Sequence, residues 1–114
     1  MKGSIRIELT QGEAYYLPLV FDEEEALNIT KVVISSKYLN FCHELTQDAS
    51  DYTRWHYTFL PEETKEFRSG NWSFTVTAYN AVAEYNPQKL PNQLIIVKKD
   101  NNPPEEVETW KNLK

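Results

Sequence analysis

The most regular feature of the chain is an alternation of apolar and polar side chains over residues 71–79. Serine and threonine occupy one side of this segment, and the other side carries Trp72, Phe74, Val76 and Ala78. A period of two residues is typical of a β-strand with one buried face. The pattern therefore predicts a strand, which we expect to be the most buried one in the protein.

Comparable patterns predict further short strands, separated by residues that favour turns. These strands cover residues 5–9, 14–21, 27–36, 38–45, 52–60 and 92–99. Pro18 lies inside the second one. Because proline has no N–H group to donate, we expect that strand to lie at a sheet edge or to be bulged. Connecting loops are predicted at residues 22–25, 46–51 and 80–91.

A short helical corner is predicted near residues 61–67, between two of these strands. Pro61 suits the first position of a helix, where its missing N–H group would have no partner in any case. Glu62 and Glu63 would place negative charge at the positive end of that turn. Gly70 follows, and glycine adopts turn conformations that other residues resist.

Short strands with turns between them, and no long helical period, indicate an all-β protein. We predict an immunoglobulin-like β-sandwich of about seven strands, formed by residues 1–99. The sequence lacks the cysteine and tryptophan hallmarks of antibody domains, so a jelly roll or a barrel remains an alternative. We expect Trp55, Trp72 and Phe74 at the centre of the core.

Residues 100–114 are predicted to form a C-terminal tail that is either flexible or a short helix. Pro103 or Pro104 could begin such a helix, and Val107 and Trp110 would lie on one stripe of it. A helix this short is marginal unless it docks on something. We therefore expect Trp110 to contact this domain or a neighbouring chain.

The composition limits the functions open to the protein. Its 114 residues suffice for one domain with its own core. The net charge of −5 and the lack of a basic stripe argue against binding to nucleic acid. The single cysteine, Cys42, cannot form an intramolecular disulfide and is expected to be a small core residue. Neither a secretory signal nor a membrane-spanning segment is recognisable, so we expect a protein made in the cytoplasm, away from membranes.

Few residues could carry out catalysis. Cys42 and His43 are adjacent on a predicted strand, so their side chains point to opposite faces and the histidine cannot activate the thiol. The histidines and the cysteine match no zinc-binding pattern, and residues 22–25 lack the alternating ligands of a calcium loop. The glycines are too scattered for a phosphate-binding loop. We predict a protein that is not an enzyme and that uses no metal and no cofactor.

The aromatic residues are the remaining candidates for function. Seven tyrosines and three tryptophans exceed what a small core requires, so some should be exposed. The pattern leaves outside the core, or in loops, Tyr16, Tyr52, Tyr79, Tyr85 and Trp110. Exposed aromatic side chains are enriched in contact surfaces, although cross-strand pairing is the ordinary alternative. We select Tyr52, Tyr85 and Trp110 as residues that contact a partner.

Two segments resemble a known family. Residues 7–20 read IELTQGEAYYLPLV, in which a strand ends in threonine, glutamine and glycine before an acidic residue and an alternating strand. Residues 59–74 read FLPEETKEFRSGNWSF, a corner in which threonine and glycine precede an aromatic strand. The combination resembles baseplate and tail-associated β-sandwich domains of phages and prophages of Gram-positive bacteria. It is similar to the N-terminal domain of upper baseplate proteins.

The resemblance implies a non-catalytic structural or adaptor protein of a phage or prophage particle, made in the bacterial cytoplasm and located in the virion. Its partners would be other virion proteins or copies of itself in a homo-oligomer. The alternative is a ligand-binding sandwich that recognises a carbohydrate or a receptor through aromatic loops, with Tyr52 and Tyr85 as candidates. A small enzyme ranks last, because no activated nucleophile and no pair of acid and base can be assembled.

Overall fold

The computed structural model describes residues 4–80 and 87–100. This part of the chain contains eight β-strands and two helices of four residues each. The strands are β1 (Arg6–Thr10), β2 (Tyr15–Val20), β3 (Ile29–Ser36), β4 (Phe41–Glu44), β5 (Thr46–Gln47), β6 (Arg54–Phe59), β7 (Gly70–Asn80) and β8 (Gln88–Lys98). The helices are α1 (Glu23–Ala26) and α2 (Pro61–Thr64).

The strands form two sheets that enclose a common core. One sheet has five strands in the order β1-β8-β7-β3-β4, and the other has three in the order β2-β6-β5. Paired strands are antiparallel except β1 and β8, which run parallel. The chain crosses from one sheet to the other between β1 and β2 and again between β2 and β3, as in the Greek-key topology of immunoglobulin-like domains. The predicted immunoglobulin-like β-sandwich is therefore confirmed.

Aromatic rings join the two sheets at the centre of the core. Phe59 of β6 has no exposed surface, and its ring meets that of Phe41 of β4 edge to face at 5.4 Å. Phe67, which follows α2, lies 5.9 Å from the Phe59 ring. Phe41 belongs to the five-stranded sheet and Phe59 to the three-stranded one, so their contact holds the layers together. Trp55 and Phe74 are also buried, as predicted.

The corner near residues 61–67 is confirmed, with Pro61 at the first position of α2. Thr64, at the end of this helix, is completely buried, and its hydroxyl donates a hydrogen bond to the carbonyl oxygen of Glu13 at 2.8 Å. That bond ties the corner to the turn between β1 and β2. Gly70 begins β7 with a φ of 136°, which residues with a side chain rarely adopt.

The predicted positions of Trp72 and Cys42 are wrong. Trp72 is half-buried at the rim of the core, where its indole N–H donates to the carbonyl oxygen of Arg68 at 2.8 Å. An indole N–H needs such a partner, and the rim supplies it. Cys42 is exposed, because burial of Phe41 on β4 turns the next residue to the outer face of the sheet.

Two of the predicted loops contain regular structure. Residues 22–25 include most of α1, where the Asp22 N–H donates to the Glu25 carboxylate at 3.3 Å in a capping box. Its glutamates lie in the first helical turn, where the helix dipole favours negative charge. Thr46–Gln47 pairs with β6 as a short edge strand. These segments are polar because they are exposed, although their backbones are ordered by hydrogen bonds.

The predicted connection over residues 80–91 is shorter than expected, because β8 already begins at Gln88. A register shift in the pairing of β7 with β8, between Phe74 and Val76, accommodates Pro91 inside the strand. Asn92 adopts a positive φ of 61° at this bulge. The predicted C-terminal tail, residues 100–114, lies outside the described residues except for its first residue.

We expect the substitution Phe59→Ala to lower the free energy of unfolding by about 3–5 kcal/mol, because it removes a fully buried ring from between the sheets. Urea unfolding followed by tryptophan fluorescence measures this loss. Thr58→Ala, at an exposed position of the same strand, is the matched control and should change the stability by less than about 1 kcal/mol. Equal effects of the two substitutions would contradict the assignment of Phe59 to the core.

Candidate interaction surface

Several large apolar side chains stay exposed although the core is well formed. In the described part of the chain they are Tyr16, Val20, Leu27, Tyr38, Tyr52 and Leu60. Three of them, with exposed fractions of 51–56%, belong to the three-stranded sheet or to its immediate continuation. Isolated exposed apolar residues need no explanation, whereas a group on one face is typical of a contact surface.

The alternation along β2 and β6 places these residues on one face. In β2, Leu17 and Leu19 are buried, so Tyr16 and Val20 point outwards together with Pro18. Leu60 follows β6 with extended backbone angles of −85° and 156°, and so continues its outward-facing side. Tyr16 lies opposite Thr58, which places Leu60 diagonally next to the tyrosine. We call the set Tyr16, Pro18, Val20 and Leu60 the outer stripe.

Polar side chains border the outer stripe. The His56 ring stacks on Tyr16 with a centroid separation of 5.7 Å, and it lies opposite Pro18 in the strand pairing. Arg54 lies opposite Val20 and approaches Asp51 at 3.6 Å. An apolar centre with a polar and charged rim is the usual composition of a protein contact surface.

Within residues 4–80 and 87–100, β2 pairs only with β6 and is therefore an edge strand, which is one of the two arrangements that Pro18 predicted. The Phe21 N–H donates to the carbonyl oxygen of Thr53 at 2.9 Å, so the odd-numbered residues direct their backbone groups towards β6. Tyr16, Pro18 and Val20 therefore direct theirs to the free edge. Since Pro18 has no N–H, it interrupts this edge at its middle. The edge is poorly suited to pairing with another strand, whereas the face beside it is open.

The residues predicted to contact a partner have different outcomes. Tyr52 is exposed in the turn before β6, where its carbonyl oxygen accepts a hydrogen bond from Gln47 at 3.0 Å. The bond between Phe21 and Thr53 places this turn beside the end of β2, next to the Val20 end of the outer stripe. Tyr85 and Trp110 lie outside the described residues.

Of the other aromatic candidates, Tyr16 is exposed as expected and belongs to the outer stripe. Tyr79 is half-buried on the other sheet, where the Lys31 ammonium lies 4.3 Å from its ring centroid. Sequence reasoning missed Val20 and Leu60 because it searched for aromatic residues. The signal was present, since both occupy the outward-facing positions of strands whose inward positions are apolar.

A cluster of three polar residues closes one side of the sandwich. Tyr57 of β6 donates a hydrogen bond to the Glu63 carboxylate at 3.0 Å, and His43 of β4 contacts the other oxygen of the same carboxylate. The His43 and Tyr57 rings stack with a centroid separation of 4.3 Å. Because β4 and β6 belong to different sheets and Glu63 lies in α2, the cluster connects both layers to the corner.

The environment of the cluster favours a protonated phenol. Burial, and then the hydrogen bond and negative charge of Glu63, raise the pKa of Tyr57 from 10.0 to about 12. Tyr57 therefore acts as a hydrogen-bond donor throughout the physiological pH range. Cys42 points away from this cluster, to the outer face of β4. Among the described residues, no group of three histidine, cysteine, aspartate or glutamate side chains is arranged to hold a metal ion.

Comparisons with known proteins give matches only among solved structures. No family model and no curated protein matches the chain. The second immunoglobulin domain of the mouse polymeric immunoglobulin receptor is 11% identical with a TM-score of 0.45, and the match covers 83% of this chain and 94% of that domain. The PKD domain of the KIAA 1837 protein is 16% identical with a TM-score of 0.40, over 86% and 84% of the two chains.

A third match is a protein from Bacteroides vulgatus described as a glycoside hydrolase, with 10% identity and a TM-score of 0.36. It covers 84% of this chain but only 17% of that protein. Identities this low carry no information about function, and the fold assignment rests on the strand order given above. Neither of the helices in residues 4–80 and 87–100 is long and apolar enough to cross a membrane.

We expect Glu63→Gln to lower the pKa of Tyr57 from about 12 towards its ordinary value of 10.0, because the negative charge beside the phenol is removed. The pKa is measured by following the ultraviolet absorbance of phenolate as the pH is raised. The absorbance change that disappears in the Tyr57→Phe variant is the contribution of Tyr57. In the wild-type protein the folded state holds this proton more tightly than the unfolded chain does. The resulting stability is complete below about pH 10 and is lost as the pH rises through about 12. A titration unchanged by Glu63→Gln would contradict the contact.

Proposed function

We propose that this chain is a non-catalytic structural module that acts by packing the outer stripe against another copy of itself or against a neighbouring protein of a phage or prophage particle. The observation that carries the proposal is the placement of Tyr16, Val20 and Leu60, all more than half exposed, on one face of the three-stranded sheet. A partner that covers this face would bury apolar surface that is now in contact with water.

The form of the surface favours packing between faces over pairing between edges. Pro18 removes a donor from the free edge of β2, which protects the edge against uncontrolled addition of strands. The stripe lies beside that edge and keeps its apolar side chains. A contact through one defined face can close into a symmetric assembly, whereas an exposed sheet edge can add strands without a limit.

The phage setting rests on the resemblance of residues 7–20 and 59–74 to baseplate and tail-associated domains. Such a domain would be made in the bacterial cytoplasm and would act in the virion through its contacts with other virion proteins. A non-catalytic role is supported by the arrangement of the polar residues. His43 and Tyr57 both engage the Glu63 carboxylate, and Cys42 lies on the opposite face of its strand from His43.

A second candidate function, recognition of a carbohydrate, is supported by a different part of the molecule. A pocket beside the exposed ring of Tyr38 is lined largely by hydroxyl groups. This pocket lies on the five-stranded sheet, away from the outer stripe. It differs from the aromatic-loop site around Tyr52 and Tyr85 that the sequence indicated.

Self-association tests the proposed function. We expect the full chain to form a dimer or a larger closed oligomer, and we expect Val20→Lys to raise its dissociation constant about tenfold or more by placing a charge in the contact. Light scattering and sedimentation over a range of protein concentrations measure this. Because Val20 is exposed, its replacement should leave the thermal unfolding temperature nearly unchanged.

Leu27→Lys is the matched control, since Leu27 is more exposed than Val20 but follows α1 and is not part of the stripe. It should leave the association unchanged. Pro18→Val keeps the stripe apolar but restores an N–H to the edge of β2. It therefore distinguishes packing between faces from pairing between strand edges. A large increase in association on this replacement would indicate pairing between edges. A strict monomer at high concentration, with no association to remove, would contradict assembly from copies of this chain.

A further inference from the structure

The outer face of the five-stranded sheet contains an open pocket of about 360 Å³. Its floor is formed by Ser35 of β3 and by Ser73 and Thr75 of β7. Ser35 and Thr75 lie directly opposite each other in the strand pairing, so their side chains are on the same face as that of Ser73. The volume is within the range of about 300–1,000 Å³ typical of small-molecule sites.

Local backbone features create this depression. The small side chains of the floor leave space above the sheet, and the β8 bulge brings Asn92, with its positive φ of 61°, to one side. The turn after β3 forms the opposite side through Lys37 and Tyr38. The Ser36 hydroxyl fixes this turn, since it donates to the carbonyl oxygen of Ser73 at 2.9 Å and accepts from the Leu39 N–H at 3.2 Å.

The pocket offers hydrogen-bonding groups that the protein itself does not use. Within residues 4–80 and 87–100, the side chains of Ser35, Ser73, Thr75 and Asn92 have no hydrogen-bond partner in the chain. A hydroxyl both donates and accepts, and an amide offers two donors and an acceptor. Such a set matches a ligand that carries several hydroxyl groups.

Tyr38, which also lines the pocket, has an aromatic ring whose orientation is fixed by its neighbours. Tyr38 as a whole is 48% exposed, and its ring stacks on Trp72 with a centroid separation of 6.3 Å and an angle of 24°. Trp72 is held by its bond to the Arg68 carbonyl oxygen, and the Arg68 guanidinium lies 4.7 Å from its ring centroid. One face of a sugar ring carries C–H groups, which pack on an aromatic ring while the hydroxyls at its edge form hydrogen bonds. Trp72 stacks on the Tyr38 ring and the Lys37 ammonium lies 5.3 Å from its centroid, so a sugar would pack on the part of the ring that these neighbours leave exposed.

The charge around the pocket selects among sugars. Among the described residues, Lys37 is the charged residue of the lining and no carboxylate side chain lines the pocket. Arg68 lies nearby, since its guanidinium is 3.5 Å from the carbonyl oxygen of Tyr38. A local positive charge on a protein of net charge −5 favours an anion at this place.

We propose that this pocket binds an acidic sugar, that is, a monosaccharide unit with a carboxylate or a phosphate group. The sugar ring packs on Tyr38, its hydroxyls bond to Ser35, Ser73, Thr75 and Asn92, and its anionic group pairs with Lys37. The site is open and its contacts with a single unit are few, so we expect a dissociation constant on the order of 1 mM. The proposal does not depend on self-association, because the outer stripe belongs to the other sheet.

The test is a titration of the full chain, labelled with ¹⁵N, in which amide chemical shifts are followed by NMR. The probes are glucuronate, glucose 6-phosphate, glucose and inorganic phosphate. We expect both acidic sugars to shift the amides of Ser35, Ser73 and Thr75 saturably. Glucose should bind about tenfold more weakly, because it lacks the charge-assisted contact with Lys37. The comparison of glucuronate with glucose 6-phosphate shows which anionic group is preferred.

Three variants assign the contacts. Lys37→Gln should remove the advantage of glucuronate over glucose, and Thr75→Val, which keeps the side-chain shape, should weaken both about threefold. Tyr38→Ala should weaken both about tenfold through loss of the ring. Lys65→Gln and Tyr52→Ala are matched controls at exposed positions outside the pocket, and they should leave binding unchanged.

Several results would overturn the proposal. One is the absence of saturable shifts at the pocket with either acidic sugar up to tens of millimolar. Another is binding of inorganic phosphate as tight as that of glucose 6-phosphate, which would reduce the site to an anion contact. Unchanged sugar binding in both Lys37→Gln and Tyr38→Ala would show that these residues do not form the site. Because Val20→Lys leaves the pocket intact, loss of assembly in that variant together with normal sugar binding would separate the two functions.

Discussion

The contact between Phe59 and Phe41 is the constraint on which the rest of the structure depends, because it is where one sheet meets the other in a dry interior. Phe67 can join these rings only if the chain turns sharply after β6, and α2 makes that turn. Thr64 then anchors the corner to the Glu13 carbonyl oxygen in the turn before β2. The same corner carries Glu63 into place between the sheets. Because contacts in the core hold the two sheets together, the residues on their outer faces are not needed for this packing and can differ in composition.

The strands were predictable because the alternation of side chains along a strand is a local property. β7 illustrates this, since Phe74, Val76 and Ala78 are buried on the side that the pattern indicated. Trp72 points to the same side but lies near the beginning of β7, so its ring packs at the rim of the core and is only partly buried. Its position along the strand therefore determines its burial more than its hydrophobicity does. Cys42 is exposed although cysteine is usually a buried residue type, because the buried Phe41 precedes it on the strand and alternation turns Cys42 outwards.

The two surfaces were predictable to different degrees. The exposure of Tyr52 was correctly predicted, whereas Val20 and Leu60 were overlooked although the period of two already placed them outside. The pocket could not be predicted in the same way. It requires Ser35 and Thr75 to be opposite each other, and the register of two strands far apart in sequence is not a local property. The bulge that brings Asn92 to its side is likewise a feature of pairing.

The positions of the two surfaces relate the proposed functions to each other. The outer stripe lies on the outer face of the three-stranded sheet and the pocket on that of the five-stranded sheet, so the core separates them. Copies that pack through Tyr16 and Val20 would leave Tyr38 and Lys37 uncovered on every subunit. A single site of millimolar affinity holds a ligand only briefly, but several sites on one closed assembly that engage the same polysaccharide act at high effective concentration. Assembly through one sheet would therefore give the weak sugar site on the other sheet a useful strength, without any additional contact within the pocket.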